Sequence, residues 1–143
     1  MFLEMFQAVQ EKTPLVHNIT NYVTVNDCAN IVLACGGSPI MSDDIDDVED
    51  IISICNALVI NMGTLNARTI SSMVKAGKKA NALGKPVILD PVGAGASRLR
   101  TETAYLLMKE VKFAVIRGNI SEIKTLAQGA GTTKGVDADA ADI

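Results

Sequence analysis

Apolar positions along the chain fall into two alternating rhythms, one with helical spacing and one of short unbroken runs. Residues 2–11 place Phe2, Met5, Phe6 and Val9 on one helical face, and Pro14 closes that helix. Leu15 to Asn21 has no clean period, and Thr20 or Asn21 is placed to cap the second helix. That helix runs to about Cys35 and is apolar nearly all round (Ala29, Ile31, Val32, Leu33, Ala34), which predicts a buried helix. Gly36-Gly37 ends it, and Pro39-Ile40-Met41 is a very short apolar piece. Val48, Ile51, Ile52 and Cys55 then recur at i, i+3, i+4 and i+7, a helix facing the core.

Ala57 to Met62 has strand length and is closed by Gly63-Thr64. A helix comes next with Ile70, Met73, Val74, Gly77 and Ala80 inward, Lys75, Lys78 and Lys79 solvated, and Gly84 as its end. Val87-Ile88-Leu89 leads into Asp90, a helix turns Ala104, Leu107, Met108 and Val111 inward, and Lys112 to Ile116 is a further strand. A last helix spans about Ile120 to Ala127, and the tail from Gly129 to Ile143 shows no convincing element. Strands alternating with helices over short connections predict an α/β fold of parallel β-α-β units with right-handed crossovers. Residues 1–143 read as a single α/β domain, with neither repeat nor linker.

Composition narrows the function. Hydrophobic residues make up 48% of the 143, enough for a sizeable core, and no apolar run approaches the ~20 residues of a membrane span. The N-terminus lacks the pattern of a signal peptide, so a cytoplasmic protein that engages no membrane is expected. Net charge is −3, and six of the sixteen acids crowd between Asp43 and Asp50. They sit at a helix start, where the macrodipole favours negative charge, and lack the spacing of an EF-hand loop. Without them the remainder is only mildly basic, and aromatics are 3% of residues, so no nucleic-acid partner is expected. Cys28, Cys35 and Cys55 form no Cys-x-x-Cys pair and read as small buried apolar residues.

Three strand ends carry polar or glycine residues where the apolar run stops: Asn61-Met62-Gly63-Thr64, Asp90-Pro91-Val92-Gly93-Ala94-Gly95, and Arg117-Gly118-Asn119-x-x-Glu122. Ligands of open α/β sheets bind beyond those ends. Asp90 and Glu122 could serve Mg²⁺ directly or through waters, and Arg117 could grip a phosphate oxygen. Each has a structural alternative. Asp90 before Pro91 initiates a turn, Asn119 or Ser121 caps a helix with Glu122 in its first turn, and Arg117 forms a surface ion pair. His17, the single histidine, reads as a satisfied loop or core residue, and Met41 by default fills core. No dinucleotide fingerprint or Walker sequence is present, since Arg98 stands where a third glycine would be. These residues together point to an anion or nucleotide site.

Five segments, in order, resemble the hydroxyethylthiazole kinases, thiamine-salvage enzymes of the ribokinase-like superfamily. They are Pro14 to Asn21, Gly37 to Met41, Asn61 to Leu65, Asp90 to Ala96, and Arg117-Gly118-Asn119-x-Ser121-Glu122. The resemblance covers nearly all of the chain. It implies a parallel-stranded three-layer sheet of ribokinase-like type, truncated, and ATP-dependent phosphorylation of the hydroxyl of 4-methyl-5-(2-hydroxyethyl)thiazole. Mg²⁺ is the implied cofactor and ATP the co-substrate. By the same resemblance Met41, Asn21 and Gly63 fall at substrate positions, Arg117 and Asn119 at ATP positions, and Asp90 and Glu122 at Mg²⁺ and phosphate positions. A homotrimer with the thiazole pocket between subunits is implied, with Asn21 and Met41 facing a neighbour's site. Family members continue well past this point, into a glycine-rich anion hole and the residue that activates the substrate hydroxyl. Gly129-Ala130-Gly131 is not that motif, so the chain resembles the N-terminal portion and is expected to be inactive alone. A non-catalytic binding or structural fragment, and a related hydroxymethylpyrimidine or sugar kinase, stay open as alternatives.

Overall fold

Five of the apolar runs pair as parallel strands, β1 (Leu15–Ile19), β2 (Ser38–Met41), β3 (Ala57–Asn61), β4 (Val87–Asp90) and β5 (Val115–Ile116), in the order β2-β1-β3-β4-β5. The computed structural model describes residues 1–128, 133–134 and 137–138. Among the described residues six helices connect the strands or flank them: α1 (Phe2–Lys12), α2 (Val25–Ala34), α3 (Val48–Ile54), α4 (Ala67–Ala82), α5 (Arg98–Glu110) and α6 (Ile120–Gln128).

Register decides which side chains share a face. Ile40, His17, Leu58 and Val87 lie side by side in one row, and Ile19, Ile60, Leu89 and Ile116 in the next on the same face. This face is the core side, packed with Val48, Ile52, Met73, Ala76, Ala80, Ala104 and Leu107 from α3, α4 and α5. A right-handed crossover from β1 to β2 runs opposite to those from β2 to β3, β3 to β4 and β4 to β5. It therefore puts α2 on the other face, against β2.

Two helices differ from expectation. The predicted burial of α2 is not found: no residue of it is buried, and Ile31 and Leu33 are 61% and 56% exposed. Hydrophobicity all round tells only what a helix could bury, and here α2 meets the sheet chiefly at the edge strand β2. α1 likewise buries nothing, and Phe2, Met5 and Phe6 face solvent. Of the cysteines only Cys55 is buried.

The segment from Leu15 lacks a sequence period because both His17 and Asn18, on opposite faces, are buried in β1. The strand expected from Lys112 shortens to Val115–Ile116, which pair with Ile88 and Leu89 of β4. The tail does hold an element: β6 (Thr133–Lys134) pairs antiparallel with β7 (Asp137–Ala138). Gly129-Ala130-Gly131 lies outside the described residues.

Candidate functional site

The connection leaving β1 runs to β2 and that leaving β3 runs to β4, on opposite sides, so the strand order reverses between β1 and β3. A crevice opens at such a switch point, beyond the carboxyl ends of the strands. Two adjoining hollows occupy it. The larger, about 440 Å³, is lined by Asn21, Gly63, Asp90, Arg117, Asn119 and Glu122 among others. The smaller, about 330 Å³, includes Asn18, Met41, Asp43, Asn66 and Arg68. Asn21 and Thr64 line both.

Side chains from four neighbouring strand ends form a continuous polar row across the larger hollow. Asn21 donates from Nδ2 to Asn61 Oδ1 at 3.0 Å, and Asn61 donates from its own Nδ2 to Asp90 Oδ2 at 2.9 Å. Arg117 completes the row, its guanidinium 3.0 Å from the same Asp90 oxygen. Asp90 is buried at the end of β4, whereas Arg117 is mostly exposed. Burial pushes the Asp90 carboxyl up, against the opposite pull of Arg117 and of the Asn61 hydrogen bond. Among the described residues no hydrogen bond falls on Asp90 Oδ1, which leaves that oxygen for a ligand.

Glu122 has a different environment. Its Oε1 accepts the N–H of Gly93 at 2.8 Å and its Oε2 the N–H of Asn119, also at 2.8 Å. Asn119 Oδ1 in turn accepts the Glu122 N–H at 2.9 Å, a reciprocal cap that starts α6. The residue is buried, and Gly118 leaves it room: a Cβ there would lie 2.7 Å from Oε2. Glu122 thus fastens the turn after β4 to the turn after β5.

Sequence reasoning assigns no individual role to two residues that tie the neighbouring strand ends β3 and β4 together. Asn61 reads from the sequence as the polar residue that ends an apolar run in one of the three candidate segments, without a function of its own. Arg100 donates from Nη1 to the carbonyls of Met62 and Val92 at 2.7 and 2.8 Å, and from Nη2 to that of Gly63 at 2.5 Å. Its one signal is a cation in the first turns of a helix, where the macrodipole disfavours positive charge. Gly93 has φ +76°, and a Cβ on it would strike Arg100 Cδ at 2.8 Å.

In the smaller hollow Arg68 grips Asp43 through two bonds of 3.0 Å. Asn66 and Thr69 form a capping box that opens α4 at the hollow's wall. His17 donates from Nε2 to the carbonyl of Ser42, a residue of the hollow's wall, at 2.8 Å, while its buried Nδ1 has no partner among the described residues. Burial draws the imidazole pKa down.

The structure therefore gathers Asn21, Gly63, Asp90, Arg117, Asn119 and Glu122 into one cleft and sets Met41 in the hollow beside it. Among the described residues no three or more His, Cys, Asp or Glu side chains cluster as a dedicated metal cage.

The hydroxyethylthiazole kinase family matches residues 6–143. A hydroxyethylthiazole kinase of Clostridium acetobutylicum is 68% identical over 142 residues, covering 99% of this chain and 52% of that protein. One of Ruminiclostridium cellulolyticum is 62% identical over 139 residues, covering 97% and 51%. The structure of a hydroxyethylthiazole kinase from Pyrococcus horikoshii OT3 superposes with a TM-score of 0.82 at 46% identity, over 88% of this chain and 50% of that one. The chain spans about half the length of the curated relatives it matches.

Proposed function

The chain belongs to the hydroxyethylthiazole kinase family, and on that premise we propose that its cleft holds substrate, phosphate and Mg²⁺ for ATP-dependent phosphorylation of 4-methyl-5-(2-hydroxyethyl)thiazole in thiamine salvage. The observation that carries this reading is the meeting of Asp90, Arg117 and Glu122 on one rim, beside a hollow walled by Met41 and Asn21. Phosphoryl transfer needs charge and donors in place more than covalent chemistry from the protein.

The donor set suits Mg²⁺, which keeps several waters and takes one or two carboxylates plus phosphate oxygens. Asp90 Oδ1 is the direct ligand in this reading. Glu122, with an N–H on each oxygen, acts through a water and by holding the Gly93 turn. When bound, Mg²⁺ supplies positive charge against the phosphates. Arg117 is exposed enough to swing from Asp90 onto a phosphate, which it can grip with two parallel hydrogen bonds. Asn119 lies beside it at the start of α6 and contributes to the ATP side. Met41, Asn21 and Gly63 hold the thiazole. The group that takes the hydroxyl proton belongs to the part of the relatives' length that this chain does not span.

The proposal includes a homotrimer, supported by the exposed apolar side chains Phe6 and Ile31 and, at the lip of the cleft, Tyr22 and Val23. A cytoplasmic site of action rests on the salvage reading. Among the described residues no helix is long and apolar enough to cross a membrane.

Calorimetric titration of the chain with the thiazole alcohol and with MgATP, each alone, tests the reading. Both are expected to bind, the thiazole alcohol more tightly than hydroxymethylpyrimidine, with no turnover by the chain itself. Binding of neither ligand overturns the assignment.

A further inference from the structure

We propose that Asn61 is a positioning residue that couples the two hollows, transmitting the state of Asp90 to Asn21. Hydrogen-bond polarity fixes the direction of every amide in the row. Asn21 Oδ1 accepts the backbone N–H groups of Val23 and Thr24, both at 3.0 Å, so its Nδ2 must point away from them. That Nδ2 meets Asn61 Oδ1, which also accepts the Gly63 N–H at 2.9 Å. Asn61 Nδ2 is thereby committed to Asp90 Oδ2. Rotating either amide by half a turn would set donor against donor, so the row has a single low-energy arrangement.

Gly63 leaves room for Asn21 close beside it: a Cβ at residue 63 would lie 2.6 Å from Asn21 Cβ. A residue that merely ended β3 would need only the bond to the Gly63 N–H. Asn61 instead directs its amide hydrogen to a side chain of β4 and its second lone pair to one beyond β1. Asn21 walls both hollows while Asp90 walls the larger one alone, so an event at Asp90 reaches the smaller hollow through Asn61. The functional side of this inference rests on the kinase reading; the side-chain row does not.

Two measurements on the full chain separate them. In ¹H–¹⁵N NMR spectra, Asp90→Ala is expected to shift the Asn21 side-chain amide when Asn61 is present and to leave it unmoved in an Asn61→Ala background. Asn61→Ser serves as the second background should the alanine variant fail to fold. No shift with Asn61 present, or the same shift in both backgrounds, overturns the coupling. Next, the affinity for the thiazole alcohol is compared with and without MgATP. A change of about fivefold or more is expected, falling to none in the Asn61 variant. A change that survives the substitution overturns the functional claim. Failure of both ligands to bind the unsubstituted chain removes the kinase reading instead and leaves the NMR cycle to judge the row.

Discussion

Glu122 Oε1 accepts the N–H of Gly93 at 2.8 Å across 29 residues of chain, and both partners are buried. With its second oxygen on the Asn119 N–H, the carboxylate is surrounded by donors. Glu122→Gln keeps the shape but must aim an amide N–H at one of those backbone N–H groups. A buried donor without an acceptor costs about 1–3 kcal/mol, so the variant is expected to lose that much in urea denaturation. Unchanged stability would show that the two turns are held by other contacts.

Arg100 joins the turn after β3 to the turn after β4 from the side of α5, with three carbonyls on one guanidinium. Arg100→Met strips those acceptors of a charged donor and is expected to cost roughly 2–4 kcal/mol. Arg100→Lys should recover only part, because an ammonium lacks the planar fork that meets Met62, Gly63 and Val92 at once. Full recovery by lysine in thermal melts would mean that charge alone matters there.

His17 makes stability depend on pH. Its folded pKa is depressed chiefly by burial, and the Ser42 hydrogen bond and the charge of Asp47 pull the other way without winning. The unfolded chain therefore binds the proton first. Stability contributed by the neutral ring is complete above the unfolded value of about 6.5 and is lost as pH falls from there toward the folded pKa, at most about 1.4 kcal/mol per pH unit. Denaturation curves at pH 7.5 and pH 5.5 should differ by less in His17→Gln than in the unsubstituted chain. Equal differences would place the titrating group elsewhere.

Asp90 shifts in the opposite sense, its carboxyl raised by burial and held back by Arg117 and Asn61. Arg117→Gln removes the larger restraint, so the ¹³C carboxyl resonance of Asp90 should titrate at higher pH than before. As an acid with a raised folded pKa, Asp90 favours the folded state below its unfolded pKa, and that contribution fades as pH rises through the folded one. A titration curve unmoved by the substitution would show that the ion pair does not persist in solution.

Much of this arrangement is legible in the chain. The runs ending at Asn61, Asp90 and Ile116 announce parallel strands, and the polar residues after them mark the rim of the cleft. Periodicity does not tell which apolar faces find a cover, which is why α2 is expected inside and lies outside. Nor does it show that His17 and Asn18 are both buried, which hides β1. Arg100 is invisible for a further reason: its partners are backbone carbonyls, and carbonyls leave no trace in residue identity. Asn61 looks like a strand terminus because its three hydrogen-bond partners come from separate segments of the chain.

The strands that carry the polar row stand side by side in the order in which a ribosome would release them, β1, β3, β4 and then β5, with β2 set on the far edge. Each strand after the first can add to an open border, and none has to wedge between two already joined. Synthesis and assembly can thus proceed in step, Asn21 waiting for Asn61, Asn61 for Asp90, and Asp90 for Arg117. The cost falls on the waiting border, which offers unpaired backbone to any passing chain until its neighbour emerges.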